Sequence, residues 1–182
     1  ILDAAVAAKA KSLDEVKELE VNGRKVADLI VEEIGKTGEK MELGAYECLE
    51  GAGTTCYDHL GNKLSTIATF TKPVERQVGR NVAMQVTSMH PVSVSEADCP
   101  KETVGKELAM HKQQIAEDPK MAGKPEAMLE NIAKGKLKKF FKEQTLEDQE
   151  FIWDNKLSVL EYIHTADKEA KVLAFQRFSL TD

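Results

Sequence analysis

The chain has 182 residues, of which 42% are hydrophobic and 31% are charged, and its formal net charge is −6. This length allows one domain or two small ones, and the hydrophobic content is enough for a buried core, which excludes a wholly disordered chain. The negative charge argues against direct binding of nucleic acid, which depends on positive charge, and favours a protein with protein partners.

The first part of the chain predicts helices. Residues 1–10 are alanine-rich, and Ser12 followed by Glu15 is the pattern of a capping box at the start of a second helix. Residues 24–35 place apolar side chains at helical spacing, and Gly35 predicts the end of that helix.

The next part predicts strands and then a helix. Residues 39–50 alternate as a strand does, and residues 54–71 predict a hairpin that turns at Gly61-Asn62. Pro73 predicts the first turn of a helix, which Pro91 ends. The apolar stripe of this helix consists of Val74, Val78, Val82 and Val86.

The last part predicts a pair of amphipathic helices, a short helix and a strand. Pro100 opens the first of the pair, and a second follows from Pro125 to Glu143, so a helical hairpin is expected at about 97–143. Residues 156–164 predict a short helix and 171–179 a closing strand. The fold class is therefore α+β, with small antiparallel sheets packed against helices and a protruding helical hairpin.

Residues that could carry chemistry are few. Three cysteines, Cys48, Cys56 and Cys99, are an odd number, which predicts free thiols in a reducing compartment, hence the cytoplasm. Buried strand cysteines acting as small hydrophobes are the simpler interpretation, and a nucleophile–base pair of Cys56 and His59 is the alternative. No histidine has the spacing of a zinc site, and no phosphate-binding loop is present, so neither a metal nor a cofactor is expected.

The apolar runs and the start of the chain indicate where the protein is located. No run approaches the roughly 18–20 apolar residues that span a bilayer, and no signal peptide is visible, so no membrane association is expected. The chain begins at Ile1 inside a helical pattern, which we interpret as a fragment of a longer protein.

Several side chains allow both a structural and a functional interpretation. His59 is either an exposed turn residue or a partner contact, and Phe140 belongs either to the core or to an interface. Trp153 is expected to cover the end of the sheet. A basic run is either a solvated helix face or a docking face for an acidic partner, and it contains Lys134, Lys136, Lys138, Lys139 and Lys142.

A long ordered pattern in the second half resembles the dimerisation-domain signature of the elongation factor Ts family. The matching residues are Gly123-Lys124-Pro125-Glu126, Asn131 to Glu143 with Lys136 in place of the usual arginine, Leu146, and Gln149-Glu150-Phe151. Tyr57-Asp58-His59 is similar to the family's Y-x-H strand and turn. Asn81 to Val86, followed by Pro91, is similar to its IAMHVAA…P helix.

The resemblance implies a fold and a function. It implies a partial first core subdomain over 1–51 and a second over 54–182 that includes a coiled-coil hairpin. It also implies a translation elongation factor in protein biosynthesis, which exchanges guanine nucleotide on elongation factor Tu, makes no covalent bonds and has no catalytic residue. The implied partner contacts are Tyr57, His59, Leu60, Lys138 and Phe140. The Thr-Asp-Phe-Val segment that disturbs the GTPase magnesium site is expected upstream of Ile1.

Three functional hypotheses follow. The first is an exchange-factor core that docks on elongation factor Tu, and the second is an assembly module, such as a homodimer, without exchange activity of its own. The third is an enzyme that uses Cys56 and His59.

Overall fold

A computed structural model describes residues 1–180, so Thr181 and Asp182, the end of the predicted 54–182 subdomain, lie outside the described residues. The chain forms two compact units, Ile1–Leu49 and Glu50–Asp182. The fold is α+β, as the sequence predicts. The helices are α1 Leu2–Ala8, α2 Leu13–Glu18, α3 Val26–Thr37, α4 Arg76–Met89, α5 Lys101–Glu117, α6 Glu126–Gln144 and α7 Val159–Ala166. The strands are β1 Glu20–Val21, β2 Arg24–Lys25, β3 Gly53–Asp58, β4 Leu64–Phe70, β5 Glu150–Phe151, β6 Asp154–Ser158 and β7 Val172–Ser179.

The first unit has a small core built on Ala5, Ala10 and Val16. The cap of α2 is close to the predicted one: Ser12 Oγ accepts from the Glu15 amide at 3.2 Å. The Glu15 carboxylate, however, accepts from the amide of Lys11 and not from that of Ser12. The cap therefore satisfies the Glu15 amide of the first turn without the reciprocal bond of a full capping box.

Three features of this unit differ from the prediction. Gly35 does not end α3, because a glycine inside a helix only lowers its stability; the helix ends where Gly38 adopts a left-handed φ of 71°. The strand predicted over 39–50 is absent, since this segment has no regular secondary structure. Alternation alone does not make a strand without a neighbour to pair with, and Tyr46 of this segment instead donates to the Ala10 carbonyl at 3.0 Å. The hairpin of β1 and β2 around Asn22-Gly23, an Asn-Gly turn signal, was not predicted.

The second unit contains a three-stranded antiparallel sheet in the order β3-β4-β7. The predicted hairpin and closing strand are thus confirmed, and β7 pairs with β4 so that Ala68 lies opposite Phe175. Helix α4 covers one face of the sheet, where Thr66 Oγ1 of β4 lies 2.9 Å from Thr87 Oγ1 of α4. The core between them includes Phe70, Val82 and Val86, each 0% exposed.

Helix α4 begins later than predicted, at Arg76 and not at Pro73. The Thr71 amide donates to the Lys171 carbonyl at 3.0 Å, so the chain is still extended as it leaves the sheet. Pro73 extends this conformation by disfavouring the helical region for Lys72. The helix ends before Pro91, as predicted, with His90 in the left-handed region at φ 46°.

The remaining elements follow the predicted order with one correction. Helices α5 and α6 are present and pack against each other, burying Ile115, Ala133 and Phe141. Residues 156–158 belong to β6 and not to the last helix, which begins after Ser158 with a complete capping box to Glu161. No helix in the described part of the chain has the length and apolar composition to cross a membrane.

Trp153 does not cover the sheet: 63% of the residue is exposed. It lies in the turn between β5 and β6, whereas Phe151, two residues earlier, is buried and stacks on Tyr162 with 3.9 Å between ring centroids. Alternation would place residues 151 and 153 on the same face, but β5 ends at Phe151, so Trp153 lies in the turn and is left in solvent.

Candidate partner-binding surface

The turn between β3 and β4 presents the first group of predicted site residues. The His59 amide donates to the Leu64 carbonyl at 2.9 Å, and the Asn62 amide donates to the His59 carbonyl at 3.0 Å. Gly61 and Asn62 both have positive φ, 88° and 52°, which is why this turn needs these two residue types. The backbone around His59 is therefore fixed while its side chain is exposed.

Three side chains meet beside this turn, and we call Tyr57, His59 and Arg80 the Tyr57 cluster. Tyr57 Oη lies 3.1 Å from His59 Nδ1, and their rings are 6.0 Å apart. The guanidinium carbon of Arg80, on α4, lies 5.3 Å from the centroid of the Tyr57 ring. The tyrosine ring thus holds a cation on its face and an imidazole at its hydroxyl.

The neighbouring residues of the turn differ in character. Asp58 points to the other side of β3, where its Oδ1 accepts from Ser65 Oγ at 2.6 Å. Leu60 is 91% exposed at the turn. A large apolar side chain with this exposure makes no contribution to the core, so the structure leaves it available for a contact.

The second group of predicted residues lies on α6. Lys138 is exposed, and Phe140 is half-buried with its ring 5.7 Å from that of Phe141, which takes the core position. Phe140 lines a cleft of about 600 Å³ between the ends of α5 and α6. The five predicted residues are therefore divided between the β3–β4 turn and the helix pair.

The cleft at the helix pair contains a histidine with unsatisfied ring nitrogens. The side chain of His111 is 14% exposed, and its Nε2 lies 3.9 Å from Glu107 Oε2. Neither ring nitrogen has a hydrogen-bond partner in the described part of the chain. Burying an imidazole without a partner costs free energy, so His111 weakens this end of the helix pair.

The basic run of α6 is partly neutralised within the chain. Lys139 Nζ lies 3.5 Å from Glu143 Oε1, and Lys142 Nζ lies 3.7 Å from Glu150 Oε1. Exposed pairs of this kind contribute little to stability. Lys134 and Lys138, one turn apart and both exposed, retain the face that the docking interpretation requires.

The structure does not bring the predicted nucleophile, Cys56, and the predicted base, His59, together. Cys56 lies opposite Ile67 in the sheet and alternates with Tyr57, so it lies on the face away from His59. Cys48 and Cys56 are exposed, which corrects the expectation that they are buried, while Cys99 is buried. Within residues 1–180 no group of three or more histidine, cysteine, aspartate or glutamate side chains is arranged to hold a metal ion.

Sequence reasoning missed Arg80, although one signal pointed to it. Gly79 lies inside α4, and a Cβ there would come within 3.2 Å of Thr55 Cβ on β3. A glycine at such a contact lets helix and strand approach closely, so the next residue of the helix can reach the strand's side chains. The placement of Gly79 within the valine stripe was visible in the sequence.

Comparison with known proteins gives a consistent result. A sequence model of the family described as "Elongation factor TS" matches residues 1–182. The chain is 43% identical to an elongation factor Ts of Porphyromonas gingivalis, with 99% of this chain and 65% of that protein covered. It is 40% identical to an elongation factor Ts of Flavobacterium psychrophilum, with 87% of this chain and 57% of that protein covered. It is 38% identical to one of Bacteroides thetaiotaomicron, with 99% of this chain and 71% of that protein covered. The chain thus spans about two thirds or less of the length of the first two relatives.

Proposed function

The chain belongs to the elongation factor Ts family, and on that premise we propose that it docks on elongation factor Tu and promotes the release of GDP. The observation that supports this most strongly is the family match over the whole of residues 1–182. The chain acts in translation as a family member, without a covalent step of its own.

The burial of the signature residues supports a docking role for some of them. Gln85, Gln149 and Phe151 are buried and hold the second unit together, so the fold accounts for their presence. His59 and Lys138 are exposed and contribute little to packing. Exposed side chains that belong to an ordered family signature are better explained by a partner than by the core.

The proposed mechanism is a thermodynamic linkage. An exchange factor accelerates nucleotide release when it binds the nucleotide-free GTPase more tightly than the nucleotide-bound one, and the nucleotide then weakens the factor by the same ratio. The docking surface we propose consists of Tyr57, His59 and Leu60 at the sheet turn, with Lys138 and Phe140 on α6. The chain itself binds no nucleotide.

The test of the docking surface is the affinity for elongation factor Tu. Loss of an interfacial hydrogen bond costs about 1–3 kcal/mol, so His59→Asn is expected to weaken binding roughly 5- to 150-fold. His90→Asn is the matched control, because His90 is also exposed and asparagine tolerates its left-handed backbone. Equal affinities of the two variants, with unchanged thermal melts, would remove His59 from the interface.

The assembly hypothesis makes a different prediction about kinetics. A module that only docks binds elongation factor Tu but leaves the rate of release of a fluorescent GDP analogue unchanged. An exchange factor raises that rate in proportion to its concentration until binding saturates. Stopped-flow measurement of GDP release separates the two.

We propose homodimerisation as a second function, because the face of the sheet away from α4 carries apolar side chains. Phe178, opposite Ser65 on β4, is 36% exposed, and Ile67 and Cys56 form a cross-strand pair on the same face. A second copy of the chain would cover this face. Sedimentation is expected to show a dimer that Ile67→Glu converts to monomer, and a monomer at all concentrations would exclude the dimer.

A further inference from the structure

We infer that Arg80 and His59 together bind a carboxylate of the partner, and that Tyr57 positions both of them; this rests on the proposed docking on elongation factor Tu. Arg80 thereby joins the docking surface, and the group that it binds is a carboxylate. The contacts of the Tyr57 cluster support this arrangement.

Arg80 contacts Tyr57 and, within the described residues, makes no ion pair. Its guanidinium carbon lies 5.3 Å from the Tyr57 ring centroid, and the residue is exposed. Among residues 1–180, no carboxylate lies within ion-pairing distance of Arg80. A guanidinium that lies over an aromatic face still has N–H groups to donate, and their fork matches the two oxygens of a carboxylate.

The contact with Tyr57 selects which ring nitrogen of His59 carries the proton. Tyr57 Oη lies 3.1 Å from His59 Nδ1. When the phenol O–H donates to Nδ1, the neutral imidazole carries its proton on Nε2, the nitrogen at the far side of the ring. His59 then offers solvent a hydrogen-bond donor, as Arg80 does.

The surroundings favour an acidic partner group at this place. Asp58, the nearest carboxylate in sequence, bonds to Ser65 on the opposite face of β3. The chain as a whole carries a formal charge of −6, so the two donors at this place stand out from the net charge of the molecule. Complementary charged groups across an interface fix the orientation of the partner.

The first experiment tests the position of the histidine proton without any partner. Long-range ¹H–¹⁵N NMR spectra of the four histidines, recorded at about pH 8.5 where imidazoles are largely neutral, should show His59 with its proton on Nε2. Tyr57→Phe should shift His59 toward a mixture of tautomers and leave His90 unchanged. A proton on Nδ1 in the unmodified chain, or no response to Tyr57→Phe, would overturn the positioning role of Tyr57.

The second experiment tests the carboxylate contact by binding to elongation factor Tu at several salt concentrations. Arg80→Gln is expected to weaken binding about 10- to 100-fold and to reduce its salt dependence. Arg80→Lys, which keeps the charge but not the paired donors, should recover only part of that loss. Arg76→Gln is the control, because Arg76 is exposed one turn earlier on α4 and its substitution changes the charge equally.

The outcomes separate this inference from the function on which it rests. If the unmodified chain binds and Arg80→Gln has no larger effect than Arg76→Gln, the inference is wrong and the docking function stands. If His59→Gln, whose amide lies near the Nε2 position, binds no better than His59→Asn, the donor role of Nε2 is wrong. If the unmodified chain does not bind elongation factor Tu, the proposed function is wrong and this contact with it.

Discussion

Replacing Gln85 with methionine should destabilise the second unit, because Gln85 is the centre of a buried hydrogen-bond network. Gln85 is 0% exposed, and its Nε2 donates to Gln149 Oε1 and to the Glu150 carbonyl, each at 3.1 Å. Its Oε1 accepts from the Ile152 amide at 2.9 Å. The network continues where Gln149 Nε2 donates to the Glu143 carbonyl at 3.0 Å, so it joins α4 to the end of α6 and to β5.

The loss in free energy of unfolding depends on how buried each polar group is that loses its hydrogen-bond partner. Methionine has nearly the same volume as glutamine, so no large cavity contributes to the cost. The amide oxygen of Gln149, which is 2% exposed, loses a partner inside the core, at a cost of about 1–3 kcal/mol. The other two bonds involve residues that reach solvent, and each contributes about 1 kcal/mol. Together these give an expected loss of about 3–5 kcal/mol, or roughly 10–20 °C in melting temperature for a unit of this size.

Urea denaturation followed by circular dichroism measures this loss. Gln77→Met is the control, because Gln77 lies on the exposed face of the same helix and its side chain, as far as residues 1–180 show, bonds only to Asn81, with 2.8 Å from Nε2 to Oδ1. Gln85→Met combined with Gln149→Met should cost less than the sum of the two single variants, because the two amides are partners. A cost of Gln85→Met within about 0.5 kcal/mol of that of Gln77→Met would refute the network's role.

Three further outcomes are expected. Gly53→Ala places a Cβ 2.5 Å from the Lys72 carbonyl oxygen and should cost roughly 1–3 kcal/mol, whereas Gly105→Ala meets no atom within 4 Å and should gain up to about 1 kcal/mol, by thermal melts. His111→Leu removes two unpartnered ring nitrogens and should raise the free energy of unfolding by about 1 kcal/mol in urea titrations. Burial raises the pKa of Glu147 above its ordinary 4.5, so the folded state binds the proton more tightly and stability falls as the pH rises above that value. Glu147→Gln should therefore be more stable than the unmodified chain at neutral pH, with the difference vanishing below about pH 4; a constant difference would contradict this.

The sequence predicted those elements whose signals are local. The turn at Gly61-Asn62 and the apolar spacing of α4, α5 and α6 are properties of a few neighbouring residues, and each of these elements is present. The segment 39–50 failed because a strand needs a partner, which its own residues do not encode. The extended stretch before α4 was missed for the same reason, since Thr71 pairs with a residue 100 positions away.

The candidate surface was predictable only in part. The family signature indicated His59 and Tyr57, but it gave no means of separating signature residues that hold the core from those that face solvent. Gln85 and His59 belong to similar motif fragments, yet one is buried in a network and the other is exposed. Arg80 joins the surface through packing between α4 and β3, which depends on the tertiary structure.

The most direct test of the proposed exchange function is the affinity of this chain for elongation factor Tu measured twice, once without nucleotide and once with saturating GDP. We predict tighter binding to the nucleotide-free protein, because linkage requires that a factor which expels GDP is itself weakened by GDP. Equal affinity for the two forms, or no binding to either, would contradict the proposed function.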